Sequence, residues 1–378
     1  MSTALASPIR AFDRQLFELV NGIDILNAVA PLNYKEQRER FFSSNFSVNP
    51  DYRYRVQKID AFKKKRALFN LPIEILGDED LVALYEGVIT SYVDKIDQFK
   101  SIGTPEFLYD SLRYYGEPNE KDIRNANFIL HLPDDSVEGD DSLLSAQAIV
   151  QHLEAFAQKQ GYEYSIKIDD SMIANALVSK LTVKVNSAAK ISAAEVNALA
   201  HHELGVHLLT TLNAREQPLR ILSLGCPVNT MTQEGMAILN EYLAGYMTVS
   251  RLKILALRVL AVDSMMREKD FKKTFQFLID QHGVEVNKAF IITARVYRGG
   301  GFTKDYLYLQ GLHQMLNAYE HRGDFNNLLC GKVSIENLDL ITRLIDKGYL
   351  LAPRFISPAI MSPVENDLIK QFITHAIK

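Results

Sequence analysis

The sequence predicts an α+β protein that is mainly α-helical, on three observations. Apolar residues recur at three- and four-residue spacing over Phe12–Ala30, Asp80–Phe99, Leu239–Val262 and Lys304–Tyr319, the period of amphipathic helices. Strand-like alternation is confined to the middle of the chain, chiefly Tyr162–Ile168 and Leu181–Asn186. Helix start signals stand at several of the helical stretches.

In chain order, Asp78 precedes the second helical stretch, Thr104-Pro105-Glu106 reads as the cap and first turn of another, and Ser334 precedes a run from Ile335 to Ile345. The basic run Lys63-Lys64-Lys65-Arg66 lies in an amphipathic stretch and reads as a solvated face. Pro133–Asp141 is acidic and contains breakers, so it marks a loop between an all-helical first third and a strand-bearing middle. Residues 1–135 are therefore expected as a helical N-terminal subdomain and 136–378 as the core of the chain, together one compact unit. In the second strand segment Leu181, Val183 and Val185 face one way and Thr182, Lys184 and Asn186 the other, which predicts paired strands in a small β-sheet.

Composition narrows the function classes. Of 378 residues, 47% are hydrophobic and 23% charged, the proportions of a globular chain with a real core. A net charge of -4 from 42 basic and 46 acidic residues, mixed along the chain, predicts no nucleic-acid partner and no anionic membrane surface. Two cysteines fit a reducing compartment, and Met1–Arg10 lacks a signal-peptide hydrophobic region, so a cytoplasmic location is expected. No signal fixes the oligomeric state.

The chemistry concentrates after the strands. Ser192-Ala193-Ala194-Glu195 has the pattern of a capping box, so a helix starts there and carries His201-His202-Glu203-Leu204-Gly205-Val206-His207 on its second and third turns. Two imidazoles with a carboxylate beside one of them suit a zinc ion with an adjacent general base. The spacing is unusual: five residues turn an α-helix by about 500°, leaving the two rings about 140° apart, against about 40° for a four-residue spacing. A regular helix keeps His202 and His207 off one ion. A π-bulge between them, eased by Gly205, brings them together and is predicted here.

A catalytic zinc needs a third protein ligand and an open position. In HExxHxxGxxH the third ligand is a histidine six residues past the second; here that residue is Asn213. Thr232-Gln233-Glu234-Gly235-Met236-Ala237 offers Glu234 instead, 27 residues beyond His207 and near the start of a second helix capped by Thr230 or Thr232. Glu241 shares its face but lies about 10.5 Å along the axis, too far to join the same ion, so it is expected to orient a histidine or pair with a base.

At these residues the sequence resembles the flavohaemoglobin expression-modulating QEGLA-motif proteins, which share a domain with the microtubule-associated tyrosine carboxypeptidases. The motifs, HExxxH and a later (Q/E)EGLA, are matched by His202–His207 and by Gln233-Glu234-Gly235-Met236-Ala237, with Met236 in place of leucine. Likeness extends from about Phe12 to the C-terminus, including Arg295–Gly299 and Phe302–Leu309. It implies a zinc metallopeptidase core with one Zn2+ per chain on His202, His207 and Glu234, Glu203 as catalytic base, and a peptide or protein C-terminus as substrate. Two other readings stay open: a regulatory protein whose zinc is structural, and a zinc hydrolase of a non-peptide amide.

His201 points about 100° from His202 and is expected to pack or to support the ligands. Arg295, Tyr297 and Arg298 close a helix-like stretch beginning near Glu285 and stopping at Gly299–Gly301, where cations and glycines suit a helix end. They also suit a carboxypeptidase, Arg298 before Arg295 gripping a terminal carboxylate and Tyr297 stabilising an oxyanion. Cys226 is read as neither nucleophile nor ligand, since a fourth ligand closes the open position.

Overall fold

The computed structural model describes residues 6–133, 143–170, 172–224, 227–366 and 368–378. The loop expected at Pro133–Asp141 falls, Pro133 apart, outside these residues, as does Cys226.

Side-chain caps set several of the helix starts. Asp78 accepts from the backbone N–H of Asp80 and Leu81 and opens Glu79–Ser101. Ser192 and Glu195 close a reciprocal capping box on Ala193–Leu199. Ser334 caps a short 3₁₀ turn, Ile335–Asn337, that leads into Leu338–Asp346. Glu106–Tyr115 begins where the sequence places it but without a side-chain cap; Thr104 Oγ1 donates instead to the Ser101 carbonyl at 2.8 Å.

Three periodic stretches are interrupted. Phe12–Ala30 divides into Ser7–Val20 and Ile25–Ala28 around Gly22, whose φ is 93°. Leu239–Val262 divides into Pro227–Leu243 and Val249–Glu268 around Gly245, φ 80°, with Thr248 capping the second helix. Lys304–Tyr319 starts as a 3₁₀ turn, Thr303–Tyr306, before Leu307–His321. Apolar spacing continues in phase across such a turn, and only the left-handed glycine betrays it. The caps expected at Thr230 or Thr232 are corrected too: the helix already runs from Pro227, and Thr232 Oγ1 accepts from the Ile335 N–H at 2.9 Å.

Strand β1 (Leu144–Ser145) pairs antiparallel with β5 (Lys190–Ile191). A second sheet has the order β2 (Ser165–Asp169), β4 (Thr182–Asn186), β3 (Ala176–Ser179), with β4 parallel to β2 and antiparallel to β3. Val183 and Val185 are buried as the alternation requires. β3 was not foreseen, because Ala-Leu-Val-Ser does not alternate.

Beside a smaller cluster of Ile25, Val29, Ile102, Phe107 and Phe302, most buried apolar side chains, from Ile9 to Ile377, form one continuous core. Within it Pro227–Leu243 crosses Leu307–His321 at a pair of glycines: a Cβ on Gly235 would lie 2.2 Å from the Gly311 carbonyl carbon and oxygen. This close crossing seats the helix carrying Glu234 against the chain that carries Lys304 and Tyr308. Among the described residues no helix is long and apolar enough to cross a membrane.

Candidate metal centre

The helix begun at Ser192 changes pitch at the histidines. Ala200–Leu208 is a π-helix, and the N–H of Leu209 bonds the Leu204 carbonyl, five residues back. In such a helix residues five apart stand where residues four apart stand in an α-helix. His202 and His207 therefore share a face, with ring centroids 5.1 Å apart. The predicted departure from α-helix is present, as a nine-residue segment rather than one bulged turn. Gly205 is not what permits it: its φ is not positive, and an added Cβ would meet nothing nearer than Ser357 Oγ at 3.5 Å.

Glu234 Oε2 lies 3.7 Å from Nε2 of both His202 and His207. These three ligand atoms can hold a metal ion, all lying within 4.8 Å of one another. Ligands about 2.1 Å from a tetrahedral ion are about 3.4 Å apart, so the two Glu234–histidine separations come within about 0.3 Å of zinc geometry. The surroundings fit as well. His202 Nδ1 donates to Glu241 Oε1 at 2.7 Å, which leaves the Nε2 lone pair facing the cluster. Glu241 is held by Arg251 through Nε at 3.0 Å and Nη2 at 2.9 Å. Burial works against charge on His202, but Glu234 and Glu241 outweigh it and raise its pKa to about 10, so an ion arriving there displaces a proton.

The other Glu234 oxygen, Oε1, accepts from Lys304 Nζ at 2.6 Å, and Lys304 also donates to the Tyr308 hydroxyl at 3.1 Å. Burial alone would raise the Glu234 pKa; Lys304 and the two histidines hold it well below the usual range. Glu203 is buried beside the cluster, its pKa raised by burial against the pull of His207 and His202, and the Val178 N–H of β3 donates to it. Lys332 Nζ ties the His207 carbonyl at 3.0 Å to Thr210 Oγ1 at 2.9 Å and Gln233 Oε1 at 3.3 Å.

Sequence reasoning missed Arg251, Lys304, Tyr308 and Lys332, which have no ligand spacing and reach the site through packing. For Lys304 and Tyr308 a signal existed, since both lie in the Phe302–Leu309 stretch already noted.

The remaining candidates contact groups other than the three ligands. Arg295 is buried and bidentate to Asp305, Nε at 2.5 Å and Nη2 at 3.1 Å. The Tyr297 hydroxyl pairs with Thr274 Oγ1 at 3.0 Å and its ring packs on Phe271. Arg298 stacks over Phe302, its Cζ 4.8 Å from the ring centroid. The glycines after it are a packing device: Gly299, Gly300 and Gly301 have φ of 76°, 113° and 127°, and a Cβ on Gly299 would meet the Phe107 ring at 2.4 Å. His201 sits between Phe156 and Tyr246, with Nδ1 unpaired and its pKa pushed down to about 4 by burial.

A sequence model described as "Microtubule-associated tyrosine carboxypeptidase" matches residues 39–378. The mouse "Putative tyrosine carboxypeptidase MATCAP2" is 24% identical over 352 residues, covering 88% of this chain and 58% of that protein. The mouse "Microtubule-associated tyrosine carboxypeptidase 1" is 23% identical over 333 residues, covering 83% of this chain and 61% of that protein. The chain thus spans about three fifths of the length of these curated relatives.

Proposed function

Because this chain belongs to the microtubule-associated tyrosine carboxypeptidase family, we propose that it is a zinc-dependent, carboxypeptidase-like peptidase acting on peptide or protein C-termini. The observation that carries the reading is a buried carboxylate, Glu203, that stands beside the His202, His207 and Glu234 group without belonging to it. A purely structural ion has no use for such a neighbour.

Zinc, when bound by His202, His207 and Glu234, supplies a Lewis acid for the scissile carbonyl and makes water a stronger nucleophile at neutral pH. Glu203 takes the proton of the attacking water and returns it to the leaving amine, work for which a carboxylate with a raised pKa is suited. Glu241 fixes the tautomer of His202, and Lys304 occupies the Glu234 oxygen that does not face the histidines. Arg298 is kept as a candidate for the substrate carboxylate. Arg295, closed on Asp305, and Tyr297, engaged by Thr274, are given no part in the reaction. His201 is a packing residue. A cytoplasmic setting belongs to the same reading, supported by a two-cysteine sequence and by a relative named for microtubules.

The test is incubation of zinc-loaded protein with a C-terminally diverse peptide library that includes tyrosine-ended members, with mass spectrometry of the products. Loss of single C-terminal residues is expected. Glu203→Gln should keep its zinc and lose turnover, whereas His202→Ala, His207→Ala and Glu234→Ala should each lose zinc by elemental analysis. Full zinc in all three alanine variants, or unchanged turnover in Glu203→Gln, overturns the assignment.

A further inference from the structure

Five basic side chains, Arg251, Arg258, Arg295, Arg298 and Lys304, gather with three carboxylates, Glu234, Glu241 and Asp305, around Tyr308. Each carboxylate already has its cation: Glu241 has Arg251, Asp305 has Arg295 and Glu234 has Lys304. Arg258 and Arg298 are left over. Among the described residues neither has an ion-pair partner, and the Nε of each is buried without a hydrogen bond. Among the described residues each stacks on a ring face, Tyr308 at 5.3 Å from Arg258 Cζ and Phe302 at 4.8 Å from Arg298 Cζ.

Two unpaired guanidinium groups held partly buried are costly unless an anion joins them. Burial, with Arg295 close by, lowers the pKa of Arg258 to about 10 and lowers that of Arg298, and the attraction of Asp305 does not offset them. Asp305, the one carboxylate whose charge reaches both arginines, is in contact with Arg295, and a bound metal would add further positive charge.

We propose that Arg258, on the Val249–Glu268 helix, and Arg298 form the subsite that receives the substrate's terminal carboxylate, with Arg258 a substrate-binding residue in its own right. The proposal rests on the peptidase reading above and names the anchor of that site. Position supports it: Lys304 Nζ lies 4.8 Å from the Tyr308 ring centroid, which keeps Arg258 Cζ within about 10 Å of the amine that holds Glu234. Two extended residues, at about 3.5 Å each, span about 7 Å of that distance. A guanidinium takes a carboxylate in two parallel hydrogen bonds, and Tyr308 forms the wall along which the chain end would lie.

The experiment is titration calorimetry on zinc-loaded Glu203→Gln protein with N-acetyl-phenylalanyl-tyrosine and with its C-terminal amide. The free acid should bind at least about tenfold more tightly than the amide. Adding Arg258→Ala or Arg298→Ala should reduce that preference to within about twofold, and Arg258→Lys should restore part of it. Arg258→Gln alone, without ligand, should melt higher than the parent, since it removes an unpaired buried charge; an arginine that only supports the fold would lower the melting temperature. Equal binding of acid and amide, or an acid preference that survives Arg258→Ala, overturns the proposal. If the acid preference holds while the wild type cleaves no peptide, the subsite stands and the peptidase reading falls. Equal cleavage of acid and amide by the wild type leaves the peptidase and removes the subsite.

Discussion

Gly235→Ala tests whether the helix crossing at Gly235 and Gly311 positions the metal ligands. The new Cβ would start 2.2 Å from the Gly311 carbonyl carbon and oxygen and 2.6 Å from its Cα, all backbone atoms that no rotamer change can move. Ordinary contact requires about 3.4 Å or more, so the helices must separate by about 1 Å. Overpacking of this kind costs about 3 kcal/mol or more where only backbone can yield. For 378 residues at about 2.1 cal/mol/K each, the unfolding entropy is about 0.8 kcal/mol/K, so the melting temperature should fall by about 4 °C or more. Glu234 precedes Gly235 on the moving helix, and metal sites tolerate only about 0.2 Å. Zinc affinity, measured by competition with a chelator, should therefore fall as well. Gly87→Ala is the control: it lies within Glu79–Ser101, nothing is within 4 Å of its added Cβ, and it should be neutral or stabilising by about 1 kcal/mol. A Gly235→Ala protein that melts within a degree of wild type and keeps its zinc affinity refutes the reasoning.

Glu241→Gln keeps the shape of the acceptor on His202 but removes the charge shared with Arg251, so zinc affinity should drop about 10- to 100-fold by the same chelator competition; affinity within twofold of wild type would show that Glu241 serves only Arg251. Asp305→Asn strips the buried partner from Arg295 and should cost about 3–5 kcal/mol, read as a lower thermal midpoint, with an unchanged midpoint counting against a structural pair. His201 is neutral in the fold down to about pH 4, while the unfolded chain takes up this proton below about pH 6.5. Its contribution to stability is therefore complete above pH 6.5 and declines between 6.5 and 4. His201→Phe should flatten the melting temperature over that interval, and an undiminished acid slope would remove His201 from the account.

What could be read from the sequence was what short-range chemistry determines. The capping box at Ser192 and Glu195 set the phase of the histidine helix, and the five-residue interval from His202 to His207 then demanded a departure from α-helical pitch. Glu234 followed from the need for a third ligand and from a motif. What stayed hidden depends on groups far apart in the chain. Lys304 meets Glu234 across 70 residues and Lys332 meets the His207 carbonyl across 125, and no local pattern encodes either contact. Arg258 sits among the apolar residues of its helix and resembles any cation on a half-buried face. Tyr297 and Arg295 show the same limit: a suggestive tripeptide says nothing about Thr274 and Asp305, which those side chains contact.

The wide turn at Ala200–Leu208 also acts as a frame between two fixed ends. Upstream, Ser192 and Glu195 pin the rotation of the helix. Downstream, Asn213 donates to the carbonyls of Leu329 and Phe355 and accepts from the Phe355 N–H, each at 2.8 Å, and Thr210 Oγ1 reaches Gln233 at 3.0 Å. Deleting one residue between the histidines would give them ordinary four-residue spacing, yet it would swing everything after them by about 100° and pull Asn213 out of all three bonds. The unusual interval is thus locked by partners more than 100 residues along the chain. A lineage that carries this clamp cannot drift toward the commoner spacing one residue at a time, because the intermediate would gain a regular helix and lose its seat.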